Sequence, residues 1–124
     1  SKMSANNKLV VIVTNGLDNE RSSVASTVAN GGIGSGMDVT MFLVSSGVDW
    51  VRKGAAGTAR LNQLDPPGKD MIQTVIDSGA DILVCPPCAG VRGYEQQDLV
   101  DGVKLAGSVA MLEHVQQGAT ALTF

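Results

Sequence analysis

Aromatic side chains and basic clusters are scarce in this sequence, and their scarcity excludes one large class of partners. The 124 residues include two Phe, one Trp and one Tyr, and the formal net charge is −3. Proteins that bind nucleic acid neutralise phosphates with clustered Lys and Arg and often stack bases on aromatic rings. We therefore expect no nucleic-acid partner.

Long hydrophobic runs are also missing. No apolar stretch approaches the length of a membrane span, and residues 1–7 lack the charged-then-apolar layout of a secretory signal. We expect no membrane association and a cytoplasmic location, with residues 1–7 a disordered N-terminus or a cloning remnant. Since 44% of the residues are hydrophobic, residues 8–124 can form one domain with its own core.

Potential metal ligands are few. The chain has two cysteines and one histidine, whereas a zinc site needs about four ligands, or three in a catalytic site. We expect no metal and no other cofactor. His114 lies among polar residues of a predicted helix and is expected to face solvent or an interface. Two cysteines in a reducing compartment are more typical of reactive groups than of a disulfide framework.

The hydrophobic pattern alternates between buried strands and amphipathic helices. Such alternation with short connections favours a three-layer α/β/α sandwich with a mainly parallel sheet of five strands. The strands are predicted at residues 8–14, 38–44, 81–84, 103–106 and 120–124, and helices at residues 19–30, 69–78 and 108–117, with shorter helical turns at residues 45–51 and 95–99. Asp18 or Asn19 is placed to cap the first helix.

Two glycine-containing segments interrupt this pattern. Residues 31–36 (GGIGSG) follow a helix and precede a strand, the reverse of a phosphate-binding loop, so we interpret them as a helix stop and return turn. Residues 52–67 have little periodicity and contain Pro66-Pro67. A long irregular stretch in a small domain is usually functional or mobile, and we interpret it as a lid over the cysteines.

Both cysteines follow the third predicted strand. In an open parallel sheet, ligands bind outside the carboxyl ends of the strands, which makes Cys85 a candidate nucleophile. Backbone N–H groups and a nearby cation lower a thiol pKa, and Arg92 is the candidate cation. Cys85 and Cys88 could instead be small buried core residues. They could also form a redox-active dithiol, although too little chain follows Cys88 for a thioredoxin fold.

The pattern C-x-x-C-x-x-x-R-G, formed by Cys85, Cys88, Arg92 and Gly93, together with a first strand that ends in Thr14-Asn15-Gly16, resembles the DsrE/DsrF-like family, which includes the TusD-type sulfur carriers. The resemblance implies a parallel five-stranded sheet, assembly into trimers or hexamers, and a persulfide carried on Cys85. It marks Asn15, Gly16 and Gly93 as candidate substrate-binding residues. It also implies sulfur-donor and sulfur-acceptor proteins, or small persulfides, as partners.

Three functions are therefore open. The first is a sulfurtransferase-like persulfide relay in which Cys85 accepts and donates sulfane sulfur, Arg92 stabilises the anion and Cys88 can resolve the persulfide. The second is a non-catalytic oligomeric scaffold with buried cysteines. The third is a dithiol redox switch formed by Cys85 and Cys88.

Overall fold

The computed structural model describes residues 7–59, 64 and 68–124, and within them five strands alternate with four α-helices. The predicted N-terminal segment lies outside the described residues apart from Asn7. The strands are β1 Lys8–Val13, β2 Asp38–Leu43, β3 Asp81–Val84, β4 Lys104–Leu105 and β5 Thr120–Thr123, and the helices are α1 Glu20–Gly34, α2 Gly68–Asp77, α3 Pro86–Gly90 and α4 Ser108–Gln116.

The five strands form one sheet in the order β4-β3-β2-β1-β5, and every pairing is parallel. The three central strands are the three predicted from continuous apolar runs. Such runs suit strands that are buried on both faces, and in β2 every residue after Asp38 is buried. The prediction of an α/β fold with a parallel five-stranded sheet is confirmed.

Helices cover both faces of this sheet. Gly32 of α1 lies against the side chains of Leu9 and Val39, whereas His114 of α4 approaches Thr40 on the other face. Val39 and Thr40 are consecutive in β2, and successive strand residues point to opposite faces. α2 packs beside α1, so α1 and α2 form one outer layer and α4 belongs to the other.

The helix stop and the turn do fall within residues 31–36, but the predicted helix end at residue 30 is wrong, because α1 continues through Gly34. A Cβ on Gly32 would stand 3.0 Å from carbons of both Leu9 and Val39. This glycine therefore lets the helix approach the sheet closely. The turn comes later, at Gly36 with φ +81°, where glycine adopts the left-handed conformation without a steric penalty.

The predicted lid over the cysteines is not seen in the part of residues 52–67 that the structure describes. Ala55, Ala56 and Ala59 are buried, and the 3-10 helix Ala56–Thr58 packs against α2. The N–H of Lys53 donates to Asp98 O at 2.9 Å. Residues 60–63 and 65–67 of the predicted lid lie outside the described residues.

Within the described ranges, none of the helices combines the length and the hydropathy that crossing a bilayer would require.

The carboxyl ends of β1, β2 and β3 meet at one edge of the sheet. A 3-10 helix, Ser45–Val51, follows β2 there. A Cβ on Gly47 would stand 2.2 Å from the carbonyl oxygen of Val13, so glycine is needed for the close approach of this helix to the end of β1. The segments that follow the three central strands are thereby packed together.

Candidate functional site

Cys85 joins the end of β3 to the start of α3. Its N–H donates to Leu43 O at 3.0 Å, which extends the β2–β3 pairing, and its carbonyl accepts the N–H of Ala89 at 3.0 Å as the N-cap of α3. Pro86 occupies the first helical position, where proline is tolerated because an N–H there has no intrahelical acceptor. The predicted position of Cys85 at a carboxyl strand end is therefore found.

The two cysteines are free, half-buried and in contact. Burial is the main cause that raises the pKa of the Cys85 thiol, and its hydrogen bond with the Cys88 side chain raises it further. The Cys88 backbone N–H acts in the opposite direction. The expected lowering of the Cys85 pKa is therefore wrong, since desolvation and a neighbouring sulfur favour the neutral form.

Ser45 contacts the sulfur of Cys88. The sequence alone did not mark it as a site residue. Its N–H donates to Cys88 Sγ at 3.1 Å. Ser45 has φ +52° and is the only non-glycine residue with positive φ in the described ranges. This conformation costs an L-residue roughly 1–2 kcal/mol. A strained residue thus directs the backbone of the segment after β2 towards the sulfur pair.

Arg92 fixes the backbone of the cysteine segment and is not seen beside the Cys85 sulfur. Its Nη1 donates to the carbonyl of Cys88 at 3.1 Å, and its Nε lies 3.9 Å from Asp49 Oδ1. Tyr94 donates its hydroxyl to the same carboxylate oxygen at 2.6 Å. The pKa of Tyr94 is raised, mainly by this hydrogen bond to Asp49. Among the described contacts, Arg92 is thus a positioning residue.

Asn15 and Gly16 lie at the same edge of the sheet. Asn15 accepts a hydrogen bond from Asn19 Nδ2 at 3.2 Å. Gly16 is buried, and a Cβ there would stand 3.1 Å from the carbonyl oxygen of Ser46. Ser46 is the neighbour of Ser45, so the β1–α1 loop packs beside the segment that contacts Cys88. The predicted substrate-binding roles of both residues stay predictions.

Gly93 has a local structural role. It has φ +73° and donates its N–H to Gly90 O at 3.0 Å, just after the end of α3. Glycine reaches this left-handed conformation without a Cβ clash. Gly93 therefore ends the cysteine segment and lets the chain return towards Tyr94, and its predicted contact with substrate stays a prediction.

Part of the surface around the cysteines is apolar. Pro86, Pro87 and Gly90 are exposed, and Val91 is 82% exposed. Exposed apolar groups beside reactive thiols suit contact with another molecule better than contact with bulk water. The sulfurs are half-buried, yet they lie next to a surface that a donor or acceptor can approach.

Two other residues from the sequence analysis lie elsewhere. Asn19 caps α1 by accepting the N–H of Arg21 at 2.9 Å, whereas Asp18 is exposed. His114 is not solvated, because 20% of its side chain is exposed and its Nε2 lies 3.8 Å from Asp81 Oδ2. Among the described residues, no three His, Cys, Asp or Glu side chains are grouped closely enough to hold a metal ion.

Comparisons with known proteins cover almost the whole chain. The family model for the DsrE/DsrF-like family matches residues 7–124. The uncharacterized protein MJ0989 of Methanocaldococcus jannaschii is 30% identical over 118 residues, which are 94% of this chain and 99% of that protein. A second uncharacterized protein, MK0008 of Methanopyrus kandleri, is 28% identical over 85% of this chain and 83% of its own length.

Solved structures show the same fold. The YchN protein of E. coli superposes with a TM-score of 0.68 at 22% identity and covers 94% of this chain and 99% of its own. A protein of unknown function from Methanobacterium thermoautotrophicum, MTH1491, superposes with a TM-score of 0.70 at 13% identity and covers 94% and 98%. The shared fold is consistent with the family match over residues 7–124: this chain belongs to the DsrE/DsrF-like family.

Proposed function

We propose that this protein is a sulfane-sulfur carrier and that Cys85 holds the sulfur as a persulfide. The observation that carries the proposal is a pair of free, half-buried thiols in contact at the carboxyl edge of the sheet. Membership in the DsrE/DsrF-like family supports a role of the sulfur-relay type. Such chemistry needs an accessible thiolate and a good sulfur leaving group, and no cofactor.

Uptake is a displacement at the outer sulfur of a donor persulfide, R–S–SH. The Cys85 thiolate attacks that sulfur, the donor S–S bond breaks, R–S⁻ leaves and Cys85–S–SH forms. Release to an acceptor is the same step in reverse order: an acceptor thiolate attacks the outer sulfur and Cys85 leaves as thiolate. Each step exchanges one S–S bond for another and needs no external oxidant or reductant.

Cys88 provides a second route by which the bound sulfur can be released. Its thiolate can attack Cys85 Sγ in the persulfide, so that HS⁻ leaves and a Cys85–Cys88 disulfide forms. This route leaves the protein oxidised, and a reducing thiol must restore the dithiol before the next cycle. The hydrogen bond from Ser45 to Cys88 Sγ holds the second sulfur at this position.

The protonation of Cys85 limits its reactivity at neutral pH. Because burial and Cys88 raise the pKa of Cys85, most of the protein carries the neutral thiol, and the nucleophile is the thiolate. A donor or acceptor that binds over Pro86, Pro87 and Val91 would contact this thiol and exclude water from it. The partners are therefore proteins with an apolar rim around a reactive thiol, or small persulfides.

Intact-mass spectrometry after exposure to a persulfide donor tests the proposal. Wild type should gain about 32 Da, the mass of one sulfur that remains bound as persulfide. Cys85→Ser should gain none. Cys88→Ser is the matched control, because it keeps the carrier and removes the resolving thiol, and it should hold its sulfur longer than wild type. No gain in wild type, or equal gain in Cys85→Ser, would overturn the proposal.

A dithiol redox switch is the second candidate, and the contact between the two sulfurs favours it. Mild oxidation should then give an intramolecular Cys85–Cys88 disulfide with a defined reduction potential, without any gain of sulfur from a persulfide donor. The same mass measurement separates the two functions.

A further inference from the structure

A cavity of about 290 Å³ lies between the end of the 3-10 helix Ser45–Val51 and α2, and neither cysteine lines it. Ligand pockets are typically concave, mainly apolar and equipped with a few polar groups that orient the ligand. The apolar side chains of the lining come from four segments: Trp50, Ala56, Ile72, Ile76 and Val100. The cavity is at the lower end of the size range of small-molecule sites.

Among the described residues, the charged part of the lining has one sign. Arg52 and Lys69 contribute to the lining and both are exposed, and none of the lining residues within 7–59, 64 and 68–124 is acidic. Within residues 7–59, 64 and 68–124, neither cation forms an ion pair with a carboxylate. Arg52 lies near the Tyr94 hydroxyl, whose pKa it lowers and which itself donates to Asp49. Two cations beside an apolar wall attract a negatively charged group.

Trp50 is the largest apolar residue of the cavity wall. It is 2% exposed, and its buried Nε1 has no hydrogen-bond partner among the described residues. Water does not reach this nitrogen, so Trp50 contributes the apolar part of its ring to the cavity wall and no hydrogen bond to a ligand.

We propose that this cavity binds a small amphiphilic anion: a carboxylate held by Arg52 and Lys69, with a short apolar chain against Trp50, Ile72 and Ile76. The site is separate from the cysteines and takes no part in the sulfur-transfer steps. A negative result at this cavity would therefore leave sulfur transfer untouched, and a negative result in sulfur loading would leave this site untouched.

Fluorescence of Trp50 reports on the cavity directly, since it is the chain's single tryptophan. We expect titration with hexanoate, which does not itself fluoresce, to change the emission and to saturate. Hexan-1-ol has the same chain without the charge, and acetate has the charge without the chain. Both should bind more weakly than hexanoate. A response that does not saturate, or hexan-1-ol binding as tightly as hexanoate, would overturn the proposal.

Variants of the two cations sharpen the test. Arg52→Gln and Lys69→Gln should each weaken hexanoate binding about two- to fivefold, the effect of losing one partly exposed ion pair. Lys53→Gln is the matched control, because Lys53 is exposed, adjacent in sequence and not part of the lining. Its affinity should equal that of wild type. If all three variants bind hexanoate as wild type does, the anion site does not exist.

Discussion

At the residue scale, the chemistry depends on how burial and the Cys88 side chain affect the protonation of the Cys85 thiol. Cys85 is the candidate nucleophile, but burial and Cys88 together raise its pKa. The Ser45 N–H contacts Cys88 Sγ, and Arg92 holds the backbone of Cys88. The protein thus positions this pair through its backbone and keeps Cys85 neutral until a partner or a higher pH removes its proton.

Replacing Cys88 by alanine should lower the pKa of Cys85. The substitution removes a hydrogen-bonding sulfur that raises this pKa and keeps the backbone N–H that lowers it. At a pH below the pKa, lowering the pKa by one unit raises the thiolate fraction about tenfold. A lowered Cys85 pKa therefore gives a faster reaction at neutral pH. Site-resolved alkylation rates across a pH series would show this as a shift of the Cys85 profile to lower pH.

Cys88→Ser is the control for this series: its hydroxyl does not ionise and can donate to the Cys85 thiolate, so its profile should also lie at lower pH than that of wild type. An unchanged or raised Cys85 pKa in Cys88→Ala would show that the neighbouring sulfur does not hold Cys85 neutral.

The sequence located the cysteines correctly but not the residues around them. Cys85 and Cys88 follow an apolar run, and the position of the run predicts a strand end. Ser45 lies 43 residues before Cys88, and Asp49 lies 45 residues before Tyr94. Contacts over such separations depend on tertiary packing, and nothing in the local pattern marks them. Arg92 was found by spacing, but its hydrogen bond to a carbonyl could not be foreseen.

At the scale of elements, α1 shows how packing overrides a local signal. Consecutive glycines usually mark a helix end, and the sequence alone predicted one after Asn30. The helix runs on to Gly34 because Gly32 lies against Leu9 and Val39, where a side chain would not fit without movement. The buried strands could be predicted because the continuous apolar runs that form them are a stronger signal than any helical or turn pattern in the same residues.

Neighbouring glycines of α1 should therefore respond oppositely to alanine. Gly31 is exposed and has open space around its Cα, so Gly31→Ala should raise the free energy of unfolding by about 0.5–1 kcal/mol through helix propensity. Gly32→Ala should lower it by about 1 kcal/mol or more, because overpacking against the sheet outweighs that gain. Urea denaturation of both variants would measure the difference, and equal effects would contradict the packing role of Gly32.

At the scale of the whole molecule, the α4 layer is incomplete. No residue of α4 is buried, and all of β5 is exposed. Val109 is 73% exposed, Leu112 46% and Val115 36%. These residues recur every three positions along the helix, so they lie towards one side of it. An exposed apolar surface of this kind is typical of an association site.

We expect the protein to form a homo-oligomer, a trimer or hexamer, that covers this side of α4. Light scattering coupled to size exclusion should give about three or six times the chain mass of 12.8 kDa. Leu112→Glu should shift the protein towards the monomer. Val24→Glu is the control, because Val24 is 44% exposed but lies on α1, and its mass should be unchanged. A wild-type monomer would contradict this expectation.

Locating the added sulfur on the chain tests the carrier role of Cys85 most directly. Wild type would be exposed to a persulfide donor, its thiols and persulfides trapped by alkylation, and the peptide containing both cysteines fragmented by tandem mass spectrometry. We predict an additional sulfur of about 32 Da on Cys85. Sulfur found on Cys88 alone, or on neither residue, would contradict the proposal that Cys85 is the carrier.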